Sequence, residues 1–128
     1  MSDALKILLD MEPAEAEEKE FEVRRLSRLA GKPVVFRLRG IGYSRAAEIR
    51  EMSGEQDVQI LLAGTVSPNW KDKELLGKYG AATPAEAVKK VLRPGEIGDL
   101  SREVERLSGY LTRTIAEVKK NSTSEPLT

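Results

Sequence analysis

An α+β fold is predicted: a single, mostly helical domain with a short N-terminal antiparallel β-hairpin (about 21–39) packed on four or so helices. Three observations lead there. Apolar and charged residues alternate at 21–26, "FEVRRL", and again at 34–39, "VVFRLR", with the turn residues Ala30-Gly31-Lys32-Pro33 between them. From Ser44 onward the apolar residues recur at helical spacing, with capping residues at the starts and glycines at the stops. At 128 residues with 40% apolar and 5% aromatic side chains, one small core is available, filled by Leu, Val, Ile and Ala.

The elements follow in chain order. Ala4-Leu5-Lys6-Ile7-Leu8-Leu9 has one or two helical turns, ended before Pro13, and the acidic "MEPAEAEEKE" after it reads as a solvated linker. The hairpin places its arginines on the face opposite Val23, Phe36 and Leu38, and that apolar face needs a cover, because a lone hairpin is marginal in water. Ser44 can cap a helix with Ala47 and Met52 on its apolar side, Ile49 less centrally, ending near Gly54. Residues 57–66, "DVQILLAGTV", carry both signals: alternation for a strand, and Val58, Leu61, Leu62 with a Gly64 stop for the favoured helix. Ser67-Pro68-Asn69-Trp70 is a loop, and Lys71 to Tyr79 a short helix closed by a left-handed Gly80. Thr83-Pro84-Ala85-Glu86 is the strongest local signal: Thr caps, Pro takes the first helical position, and Glu can bond back to the cap amide. That helix runs to Leu92 and breaks at Pro94-Gly95. The last helix carries Ile97, Leu100, Val104 and Leu107 on one side, and Leu111, Ile115 and Val118 extend the stripe beyond Gly109. The domain plan is an acidic arm (1–20), one folded domain (21–120) and a disordered tail (121–128).

Composition excludes several functions. There is no Cys, hence no disulfide or thiolate metal site, and no His, the usual general base and metal ligand at neutral pH. No phosphate-binding or dinucleotide-binding glycine motif is present. We therefore expect no enzyme, no cofactor and no metal. No apolar run is long enough to span a bilayer and Met1-Ser-Asp opens no secretory signal, so a cytoplasmic protein without membrane contact is the default.

The charge is balanced, 21 basic against 21 acidic, but segregated: residues 1–23 hold eight acids and two bases, while residues 24–50 hold eight bases and Glu48 alone. The basic segment suggests an alternative function, a small nucleic-acid-binding regulator using the 24–50 face, since β-ribbons do bind nucleic acid. Against it stand the zero net charge, the lack of interleaved aromatics for base stacking, and the acidic arm, which can mask the face. Nucleic acid is not the favoured partner. Trp70 is either folded over the next helix or an interface anchor. The stripe at 97–107 is core, whereas a break at Gly109, a poor helix-interior residue, frees residues 111–118 for another chain. The candidates for partner contact are Trp70, Tyr79, Tyr110, Leu111, Ile115, Val118, Arg37 and Arg39.

The order "SPNWKDKELLGKYGAATPAEAV", "VLRPGEIGDL" and "VERLSGY" resembles the tail assembly chaperones of PBSX-type prophages of Gram-positive bacteria. The likeness covers roughly residues 20 to 111, and the spacing from "LRPGEI" to "LSGY" is its most specific part. Two departures stand out: a shorter segment between Met52 and Val58, and Trp70 where an aliphatic residue is usual. The resemblance implies a non-catalytic protein in the bacterial host cytoplasm, absent from the mature virion. Such a protein binds the tape-measure protein, with tail-tube subunits as further partners, while self-association stays open.

Overall fold

The computed structural model describes residues 3–118. The expected tail at 121–128 lies outside them. The chain runs α1 (Ala4–Asp10), β1 (Glu18–Glu22), α2 (Arg24–Ala30), β2 (Val35–Arg39), α3 (Tyr43–Glu51) and α4 (Gln56–Gly64). It continues through β3 (Thr65–Ser67), α5 (Lys73–Lys78), α6 (Pro84–Val91) and α7 (Pro94–Leu107). This is the α+β fold read from the sequence.

The two expected strands do pair antiparallel, with Phe21 opposite Phe36 and Glu18 opposite Arg39. Their connection differs from a hairpin. The first strand begins earlier, at Glu18 in the segment read as linker, and Arg24, Arg25 and Leu26 belong to α2. Alternation stops at Val23. After it, Leu26 and Ala30 fall at helical spacing among good helix formers, and Gly31 closes the helix at φ +74°. Two bonds tie this inserted helix to the strands: the Val23 amide donates to the Val34 carbonyl (3.0 Å), and the Ser27 hydroxyl accepts from the Val34 amide (2.8 Å). Residues 57–66 satisfy both of their signals in turn, a helix to Gly64 and then β3, which pairs antiparallel with β2 to complete a three-stranded sheet.

Helices α4, α6 and α7 bury the inner face of this sheet. Leu38 from β2, Ile49 from α3, Leu61 from α4, Val88 from α6 and Val104 from α7 are the largest fully enclosed side chains. In α3 the buried residue is Ile49, while Met52, expected on the apolar side, sits at the rim and is exposed. Ser44 lies inside α3 rather than capping it, because the helix begins one residue earlier after Gly42. At α6 the Thr83 hydroxyl accepts from the Glu86 amide (3.1 Å), and the Glu86 carboxylate reaches the amide of Ala82 (3.0 Å), one residue beyond the expected cap amide.

The last helix carries the two most specific sequence motifs. In "RPGEI", Pro94 opens α7 and Glu96 folds back onto the Arg93 amide at 2.7 Å. In "LSGY", the Ser108 hydroxyl donates to the Val104 carbonyl (2.7 Å) and accepts from the Ile41 amide (2.9 Å), tying the helix end to the loop after β2. Gly109 at φ +96° then turns the chain away, and Leu111 also has positive φ, so the apolar stripe does not continue as helix. Residues 111–118 have no regular structure.

Two glycines let α7 lie this close. A Cβ on Gly64 would stand 2.5 Å from a Val104 methyl and 2.9 Å from the Arg39 carbonyl oxygen, and one on Gly40 would stand 2.6 Å from the Leu107 carbonyl oxygen. Gly64→Ala should therefore cost about 1–3 kcal/mol through overpacking. Adding Val104→Ala should make the double variant at least about 1 kcal/mol more stable than the summed single losses predict, as urea unfolding followed by Trp70 fluorescence would show.

Candidate partner-binding surface

With the core closed, four surface features remain: two exposed apolar segments, a basic cleft, and the charged outer face of the sheet. The first apolar segment is α1. Its Leu5, Ile7, Leu8 and Leu9 are all exposed, as is Met11 just after it, and every residue from 3 to 20 is exposed. The second is the stretch after Gly109, where Leu111, Ile115 and Val118 are exposed by 56%, 76% and 84%. Both contrast with the same residue types in α7, where Val104 is fully covered. The difference lies in the tertiary partner rather than in the residues themselves.

The cleft has a volume of about 740 Å³. Leu62 and Ala63 of α4, Val66 of β3, the Pro68–Lys71 loop and Thr83, Pro84 and Ala85 at the start of α6 form its walls, with Gln59, Thr65, Arg39 and Arg45 also lining it. Three cations, Arg39, Arg45 and Lys71, line it and no carboxylate does. Arg45 is partly balanced by Glu48 at 3.0 Å. Trp70 packs edge-on against Phe36, ring centroids 5.7 Å apart at 75°, and is 4% exposed. It is thus part of the core and of the cleft wall together. Its indole N–H is buried with no acceptor among the described residues.

On the outer sheet face the alternation of β2 leaves Arg37 and Arg39 outward and buries Phe36 and Leu38. The acidic strand beside it masks this face, as its charge suggested: Arg37 meets Glu20 at 2.7 Å and Glu18 at 3.4 Å. The basic stretch 24–50 is further divided because Arg25 is held by the α6–α7 junction. Its guanidinium holds Glu96 with two bonds of 2.9 Å and also donates to the Val91 carbonyl at 2.9 Å. Tyr110, beyond the end of α7, receives a bond from Arg50 at 3.4 Å, and Tyr79 caps α5; both rings remain partly exposed.

The candidate residues thus fall in different places. Leu111, Ile115 and Val118 share one exposed segment that Tyr110 leads into, Trp70 and Arg39 share the cleft, Arg37 lies on the masked sheet face, and Tyr79 stands apart on α5. Sequence reasoning did not single out the apolar side chains of α1 as a surface, nor the cleft. The first had a legible signal, five apolar residues ahead of an acidic linker with no apolar partner nearby in sequence. The second had none, since its walls come from five separate elements.

The model of the family described as phage XkdN-like tail assembly chaperone protein matches residues 5–121. The chain belongs to this PBSX-type tail assembly chaperone family. The chaperone is also similar to the protein yqbn, whose crystal structure superimposes with a TM-score of 0.64 at 27% identity over 77% of this chain and 90% of that one. No curated protein matches it. The family makes the chaperone a protein with partners in tail assembly. Among the described residues no helix is long and apolar enough to cross a membrane, and no three acidic side chains gather where a metal could sit.

Arg25 and Glu96 displace each other's titration in opposite directions. The Arg25 guanidinium, aided by the Arg93 amide and opposed by partial burial, holds the Glu96 carboxyl below the usual carboxylate range, and Glu96 in turn raises Arg25. The pair clamps α2 to the junction between α6 and α7, so we assign it to structure. A carboxyl whose folded pKa is depressed contributes stability fully above the unfolded value of about 4.3, and that contribution is lost as pH falls through the lower folded value. Glu96→Gln should therefore be less stable than the parent near pH 7, and the gap should close between about pH 5 and 3 in urea titrations at each pH.

Proposed function

We propose that this chaperone is a non-catalytic holder of apolar helical stretches of the tape-measure protein, with tail-tube subunits as secondary partners, in the bacterial host cytoplasm during tail assembly. It is absent from the finished particle. Family membership supplies the role. The observation that carries the partner chemistry is the exposed set Leu111, Ile115 and Val118, at helical spacing yet not helical, beyond a core that closes without it.

Such a segment lacks its apolar cover, and a helix this short does not hold in water alone. An apolar helix of another chain would supply that cover, and the segment would fold as it binds. The arm before β1, the folded core and the segment 111–118 then divide the labour: a charged approach, a platform and a contact segment. Having neither His nor Cys suits a holding function.

Co-expression with the tape-measure protein tests this. The parent should raise the recovery of soluble tape-measure protein and co-purify with it. Replacing Leu111, Ile115 and Val118 with Ser should leave the chaperone folded and weaken binding by roughly 100-fold, about 3 kcal/mol if each side chain is buried only in part. Unchanged solubility with the parent chain would end the tape-measure reading.

A further inference from the structure

We infer that the Trp70 cleft is the seat of the chain's own N-terminal arm, with α1 on its apolar wall and the acidic linker against its cations. The structure shows the two parts apart, and four observations match them to each other.

The arm needs a cover. At seven residues α1 is too short to persist alone, and Leu5, Leu8 and Leu9 are 66–75% exposed. The cleft offers apolar wall at Leu62, Val66, Pro68 and Trp70, in a volume of about 740 Å³. Charge is complementary: Glu12, Glu15 and Glu17 come after α1 in the sequence, while Arg39, Arg45 and Lys71 line the cleft with no carboxylate among them. Continuity fixes which arm. The Glu17 carbonyl accepts from the Gly40 amide at 3.3 Å, and Glu18 lies opposite Arg39, so the linker leaves the sheet beside one of the cleft's own cations.

Reach is sufficient, because residues 11–16 can extend roughly 20 Å. A linker this short holds the arm at an effective concentration in the mM range, so a contact with Kd of about 1 mM would be half-occupied within one molecule and negligible between molecules at micromolar protein. The inference is independent of the tape-measure reading, since it concerns the free chain.

The protein is equipped for the test, having one tryptophan, in the cleft wall, and no cysteine. A nitroxide, a contact quencher of indole emission, is attached to the full-length Lys6→Cys variant. Trp70 emission should fall at least about twofold relative to the unlabelled variant, and the fall should persist on 100-fold dilution, about as expected for a tethered contact. Reversing the cleft charge with Arg39→Glu and Lys71→Glu should restore emission while circular dichroism stays that of the parent. Full emission in the labelled chain would overturn the inference. Quenching that disappears on dilution would overturn it in favour of a second copy's arm. Quenching that survives charge reversal in a folded variant would refute the charge-guided seat.

Discussion

The close approach of α7 to the sheet is the constraint on which the rest of the molecule depends. A three-stranded sheet with one small edge strand cannot stand alone, and its inner residues Phe36 and Leu38 are buried under helices. Helix α7 reaches them only because Gly40 and Gly64 leave room for the Leu107 carbonyl and the Val104 side chain. Any side chain there would lift the helix and open the core it seals. The same contact joins β2, α4 and α7, so local geometry at two glycines sets the packing of three elements.

The ends of α7 are held as firmly as its middle. At the start, Glu96 is bound by its own first-turn amide and by Arg25 from α2, which keeps the α6–α7 corner against the first half of the chain. At the finish, Ser108 bonds the loop after β2, and Gly109 directs the chain outward. The family's most specific motifs, "RPGEI" and "LSGY", are therefore the two ends of one clamped helix. Their residues close the core, and the segment past Gly109 is left exposed. The clamped helix and the exposed segment meet at one glycine, Gly109.

Much of this was legible in the sequence where one local signal had no competitor. Thr83-Pro84 and Pro94-Gly95 placed helix starts correctly, and the spacing of Ile97, Leu100 and Val104 identified a buried stripe. Competing signals caused the misreadings. The strand ends at Glu22 and Val23 caps the next helix, so the alternation at Phe21 and Val23 carried the strand too far and missed α2. Ile49 rather than Met52 is buried in α3, which starts at Tyr43, two residues before the start a Ser44 cap implied, and ends at Glu51, leaving Met52 at its C-cap. The exposed segment at 111–118 was readable, since Gly109 marks a break within an apolar pattern. The cleft was not, because Arg39, Leu62, Trp70 and Pro84 converge only through the tertiary fold. Trp70 illustrates the limit: its type fitted either a residue folded over the next helix or an interface anchor, and its packing on Phe36 makes it core as well as cleft wall.

The folded core leaves one apolar segment, 111–118, exposed beyond its last helix, and the proposed function assigns partner contact to that segment. Amide hydrogen exchange of the full-length chaperone, alone and with the tape-measure protein, tests that division directly. Alone, amides of α4 and α7 should be strongly protected and those of 111–118 should exchange without delay. With partner present, protection should appear across 111–118 while the core pattern stays as it was. Protection gained only on the core elements, with 111–118 still exchanging freely in a formed complex, would contradict the account.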